Sequence, residues 1–131
     1  MPQRRSAGFT LIELMIVISI LLILVSIAAP IYKTSILHAR EAVLRDNLFT
    51  MRSLISQYTL DKQKAPQALD DLVSAGYLKS IPKDPFTGTN DSWTVEQEDT
   101  LLSVDQQEPG IIDVHSGSTQ TSTEGTAYNT W

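Results

Sequence analysis

The sequence predicts an α+β fold in which one long N-terminal α-helix packs on a small antiparallel β-sheet. Three observations carry this. Residues 9–31 form an apolar stretch with a single ionisable side chain, Glu13. Beyond Tyr32, the apolar residues Leu44, Leu48, Met51, Ile55 and Tyr58 recur at steps of four, three, four and three, one stripe of a 3.6-residue period. After residue 90, short β-favouring runs alternate with polar turns.

The first helix half is long enough to span a membrane, since about 20 residues at 1.5 Å each cross a hydrocarbon core of roughly 30 Å. A carboxylate inside such a segment costs on the order of 2.5–3.5 kcal/mol on insertion scales and calls for a cation. The segment holds no Lys, Arg or His. Cutting the chain after Gly8 would create an α-amino group on Phe9, four residues before Glu13. Arg4 and Arg5 precede the span, which by the positive-inside rule puts the N-terminus in the cytoplasm. An ordinary secretory signal ending near Ser26-Ile27-Ala28 is disfavoured by the early Glu and by an apolar run longer than the usual h-region. A plain anchor with Glu13 reaching the interface is the other alternative.

The amphipathic half continues to Thr59 with no glycine, so a helix over residues 9–59 would be about 75 Å long. Pro30 lacks a backbone donor and is expected to bend or loosen the helix near the membrane exit. Glu41 and Arg45 stand at i, i+4 and read as an outward-facing pair. The stripe from Leu44 to Tyr58 reads as the face against which the chain's own sheet packs, because so small a distal domain cannot bury a core unaided, with a contact between neighbouring helices as the alternative. Leu69, Leu72 and Val73 indicate a short second helix ended by Gly76. A proline-rich connector follows, and strands are expected at residues 92–96, 100–104 and 110–114.

The 131 residues carry a formal net charge of −5, and removing residues 1–8 would take two arginines away. From Asp84 onward there are nine acids and no Lys or Arg. No basic stripe is available to meet phosphates, so nucleic acid is not an expected partner. The chain has no cysteine, which excludes disulfides and thiolate sites. His38 and His115 stand in no catalytic arrangement, and Ser116-Gly117-Ser118 is not a nucleophile elbow, so no enzyme is expected.

Gly8-Phe9-Thr10-Leu11-Ile12-Glu13-Leu14 resembles the class III signal of type IV pilins and type II secretion pseudopilins. The resemblance implies a pilin-like fold with a leader at residues 1–8, a transmembrane and filament-core half at 9–31, and a periplasmic or extracellular domain at 32–131. It implies cleavage between Gly8 and Phe9 by a prepilin peptidase, N-methylation of Phe9, and assembly through Phe9 and Glu13. Gly76-Tyr77-Leu78 and Pro82-Lys83-Asp84-Pro85-Phe86 are similar to segments of the major pseudopilins. The function so implied is a structural subunit of a secretion pseudopilus that polymerises to help export folded proteins. The type IV pilus subunit and the monomeric membrane-anchored binding domain are the alternatives. Implied partners are further copies in a helical homopolymer, minor pseudopilins, the inner-membrane assembly platform, the peptidase, and lipid before assembly. The implied location is the bacterial inner membrane, single-pass, with the C-terminal domain periplasmic. The Asp113–Trp131 segment resembles the pseudopilin calcium loop, which implies Ca²⁺ as a cofactor with Asp113, Ser116 and Glu124 as ligands. The family's usual acids are replaced here by Thr119, Gln120 and Thr121, and a hydrogen-bonded loop pinned by Tyr128 and Trp131 against the sheet is the alternative.

Overall fold

The computed structural model describes residues 2, 7–98, 104 and 109–131. In chain order the elements are helix α1 (Leu11–Lys62), helix α2 (Leu69–Ser74), strand β1 (Thr94–Gln97), strand β2 (Ile111–His115) and a 3-10 turn at Tyr128–Thr130. The chain divides into two compact units, Met1–Ile36 and Leu37–Trp131. This is the expected α+β layout, with a sheet of two antiparallel strands among the described residues.

In the first unit, α1 begins at Leu11 rather than at Phe9. The reason is a side-chain cap. The Glu13 amide donates to Thr10 Oγ1 at 3.2 Å, and the Leu14 amide to the Thr10 carbonyl at 3.2 Å. A hydroxyl that satisfies one of the orphan N-terminal amides fixes where the helix starts. Every residue from 7 to 36 is exposed. Hydroxyls in this apolar stretch are satisfied by the preceding helical turn, Ser19 donating to the Met15 carbonyl and Ser26 to that of Leu22, both at 2.7 Å. That internal bonding suits a helix in lipid, where no water can take the proton. Pro30 lies inside the helix and gives no N–H to the Ser26 carbonyl.

In the second unit, Leu44, Leu48, Met51, Ile55 and Tyr58 are buried and form one core with Leu72, Trp93, Ile111, Val114 and Tyr128. The stripe is therefore covered by the chain's own distal residues. Glu41 is a correction to the sequence reading: it is 5% exposed and packs against the chain's own distal residues rather than pointing outward. Helix α2 ends where Gly76 takes φ +84°, and the amides of Gly76 and Tyr77 close onto the carbonyls of Val73 and Leu72. A glycine there avoids the Cβ penalty of the left-handed region.

The connector is fastened by Asp84, which is fully buried. Its Oδ1 accepts the Phe86 amide at 2.9 Å, and its other oxygen accepts the Ser116 hydroxyl. Trp93 Nε1 donates to the Pro82 carbonyl at 2.8 Å. β1 pairs with β2 in the register Thr94 to His115, Val95 to Val114 and Glu96 to Asp113. β1 starts two residues later than expected, because Ser92 and Trp93 serve the connector. Of the strand expected at residues 100–104, all but Val104 lies outside the described residues. Gly117 has no room for a side chain, since a Cβ there would overlap the Ser92 carbonyl.

Candidate functional site

Three positions of the expected signal stand in a row in the amino-terminal segment. Gly8, Phe9 and Thr10 precede the first helical residue, so the Gly8–Phe9 peptide bond lies in non-helical backbone. Phe9 is 82% exposed. A protease binds its substrate as extended backbone, and a bond already outside a helix needs no unwinding. Glu13 sits in the first turn of α1, the end where backbone amides favour negative charge. Among the described residues no cation pairs with it. Arg4 and Arg5 of the expected leader fall outside the described residues. The Thr10-x-x-Glu13 spacing is a capping signature that a purely hydropathic reading passes over.

The second candidate region is the C-terminal loop, which three side chains of α1 hold down. Glu41 Oε1 accepts the Thr123 amide and the Tyr128 hydroxyl, both at 2.8 Å, and Oε2 accepts the Thr123 hydroxyl at 2.7 Å. Burial pushes the Glu41 carboxyl up, but these donors outweigh it and hold it below its ordinary value. The Tyr128 hydroxyl is pushed up to about 12, by burial first and then by Glu41. Arg45 donates to Glu124 Oε1 at 2.7 Å and lies over the Trp131 ring, 4.4 Å from its centroid. Arg52 donates to Asp113 Oδ1 at 2.6 Å, to the Val114 carbonyl at 3.0 Å and to the Trp131 main-chain oxygen at 2.7 Å. Burial raises the Asp113 carboxyl, yet the Val114 amide, Arg52 and His115 bring it below its ordinary value. Positions 41, 45 and 52 share one helix face by the 3.6-residue period. The stacked rings of Phe86 and Tyr128, with centroids 3.8 Å apart, close the loop's inner side.

These contacts also decide whether the residues fit a calcium ion. Calcium takes 6–8 oxygens. Asp113 and Glu124 each face a guanidinium instead, and the Ser116 hydroxyl donates into the buried Asp84 carboxylate. Each expected ligand is thus engaged elsewhere, and the three do not offer the free oxygens that calcium's shell needs, so this donor set does not fit calcium. Sequence reasoning missed Glu41, Arg45 and Arg52 as loop anchors, because their partners lie in a distant segment of the chain.

The sequence comparisons agree with the amino-terminal geometry. The prokaryotic N-terminal methylation motif matches residues 3–29. Type II secretion system core protein G of Aeromonas hydrophila is 32% identical over 102 residues, 66% of this chain and 71% of that protein. Its counterpart from Pseudomonas aeruginosa is 31% identical over 102 residues, 66% and 72% of the two chains. The competence protein ComGC of Halalkalibacterium halodurans is 31% identical over 78 residues, 60% of this chain and 76% of that one. No solved structure matches the chain. With a methylation motif over residues 3–29 and this identity over more than two thirds of its relatives' length, the chain belongs to the type II secretion system core protein G family.

Proposed function

We propose that the protein is a non-catalytic, filament-forming subunit of a type II secretion pseudopilus. In this reading it is made as a single-pass inner-membrane precursor with its N-terminus in the cytoplasm. Cleavage after Gly8 by a prepilin peptidase exposes the Phe9 amine, which is methylated. The cleaved helix then leaves lipid for a helical homopolymer, assisted by minor pseudopilins and the assembly platform. One observation carries the proposal: an apolar helix half, exposed along its whole length, holds one carboxylate with no partner among the described residues. An adjacent copy covers the apolar surface, and its Phe9 amine neutralises Glu13.

The test is the intact mass of purified filaments together with the Glu13→Val variant. A mature chain beginning at N-methylated Phe9, and loss of filaments in Glu13→Val with normal cleavage and abundance, support the proposal. A different first residue, or a normal filament yield from the variant, overturns it. The match to a competence protein favours a second reading, a filament serving competence rather than secretion. Deleting the gene and measuring exported protein and DNA uptake side by side separates the two.

A further inference from the structure

Glu96 on β1 and Asp113 on β2 stand directly opposite one another, and His115 follows Asp113 by two residues, so all three share one face of the sheet. Like charges directly opposite destabilise a strand pair, and a cation between them relieves the repulsion. His115 Nε2 lies 3.5 Å from Glu96 Oε2 and 3.6 Å from Asp113 Oδ2. Those distances are long for hydrogen bonds. They are close to the separation, roughly 3.3–3.5 Å, between ligand atoms that each lie about 2.0–2.2 Å from one tetrahedral zinc ion.

The imidazole is held in the tautomer a metal needs. His115 Nδ1 lies 2.5 Å from the Trp131 main-chain oxygen and 3.4 Å from Arg52 Nη2, and the shorter of the two contacts assigns the hydrogen to Nδ1. Nε2 then presents its lone pair to the two carboxylates, the arrangement in which a ring N–H bonded to a carbonyl orients a metal-binding histidine. Asp113 is oriented in the same way. Its Oδ1 is taken by Arg52 and by the Val114 amide at 2.8 Å, which leaves Oδ2 on the His115 side. Among the described residues, these three are the one His/Asp/Glu group whose ligand atoms all lie within 4.8 Å of one another.

We propose that Glu96, Asp113 and His115 bind a single zinc-class divalent cation, with its fourth position open to solvent. One nitrogen and two carboxylate oxygens suit a borderline metal better than calcium, which seeks a larger all-oxygen shell. The ion would clip β1 to β2, a two-stranded pairing that is marginal alone, and through His115 would steady the Trp131 segment. The proposal is independent of filament assembly.

The test is calorimetric titration of zinc chloride into the metal-stripped full chain in detergent micelles. One ion per chain is expected, with affinity at least about tenfold weaker in both Glu96→Gln and His115→Gln. His38→Gln should bind as the unaltered protein does, and excess calcium should not displace zinc. Glu96 is exposed, so Glu96→Gln keeps the test valid where His115→Gln perturbs the fold. Absence of binding, full affinity retained by Glu96→Gln, or displacement of zinc by calcium at equal concentration would overturn the assignment in favour of a plain imidazolium ion pair.

Discussion

The Tyr128 hydroxyl donates to Glu41 Oε1 at 2.8 Å across 87 positions of sequence. This bond joins the inner face of α1 to the last turn of the chain, and both partners are buried. Glu41 also holds Thr123 through two further bonds, so one carboxylate organises the whole loop. Its Oε2 lies 3.8 Å from His38 Nδ1 as well.

The Glu41 carboxyl titrates below its unfolded value of 4.5. A depressed folded pKa gives stability that is fully present above the unfolded value and is lost as pH falls through the folded one. Glu41→Gln should therefore cost about 1–3 kcal/mol near neutral pH. Thermal melts of the two proteins should converge as pH drops below 4.5. A gap that stays constant down to pH about 3 would place the pH dependence elsewhere.

Tyr128 behaves in the opposite sense. Its folded pKa of about 12 lies above the ordinary 10.0. The associated stability is thus present below pH 10 and lost as pH rises through 12. Tyr128→Phe should lack that alkaline loss, and absorbance titration of the phenolate in the folded protein checks it directly. Tyr77 is also raised, by its bond to Asp61 first, so the titration is compared with Tyr77→Phe.

The loop should be independent of calcium. Adding calcium to the metal-stripped chain should leave the melting temperature unchanged, because Glu124 is tied to Arg45, Asp113 Oδ1 to Arg52 and Ser116 to Asp84, which leaves too few free oxygens for calcium. Arg52→Gln should cost more than Arg45→Gln. The first anchors Asp113, Val114 and Trp131 from a half-buried position, on the order of 2–3 kcal/mol. The second removes an exposed ion pair worth about 0.2–1 kcal/mol, along with its contact to Trp131. A rise in melting temperature on adding calcium alone would restore the expected ligand set.

Much of this architecture was legible because it is local. The stripe from Leu44 to Tyr58 repeats every 3.6 residues, and Gly76 marks a helix end by its backbone alone. The loop anchors were not legible, since Arg45 to Glu124 and Arg52 to Asp113 are pairings between distant segments that no spacing rule reports. Glu41 misled for the same reason: its neighbour four residues on looked like a partner, while its true partners lie in the loop. The beginning of β1 was obscured because Trp93, a good strand residue, is used to reach the Pro82 carbonyl. At the amino terminus the cleavage motif was plain, but the cap that sets the helix start needed Thr10 and Glu13 to be read together.

Removing the Thr10 hydroxyl should loosen the first turn of α1. Thr10→Val loses a cap worth about 1 kcal/mol, whereas Thr10→Ser keeps the acceptor. Amide exchange at Glu13, measured in micelles, should accelerate about fivefold in the valine variant, the kinetic equivalent of that energy. It should stay unchanged in the serine variant. Equal exchange in both variants would show that the Thr10 side chain does not set the helix boundary.

Mixing altered and unaltered subunits tests the direction of the Glu13 pairing. Each copy is read as giving an amine to one neighbour and a carboxylate to another, a head-to-tail relation that propagates along a filament. A Glu13→Val copy still carries its Phe9 amine, so it can dock onto an unaltered copy. It offers nothing to the next amine, and leaving one member of a buried charge pair uncompensated costs about 3–5 kcal/mol. Apolar contact cannot make up that loss in lipid, because the acyl chains are equally apolar. Co-expression should therefore shorten filaments in proportion to the fraction of Glu13→Val protein, with the variant enriched at the growing end. If the variant were merely excluded from assembly, the unaltered subunits would form fewer filaments of ordinary length. If Glu13 carried no register, the mixture would give normal filaments containing both forms throughout. Length distributions from electron micrographs, with an epitope label on the variant, distinguish the three outcomes, and only the graded shortening supports a directional amine–carboxylate pair.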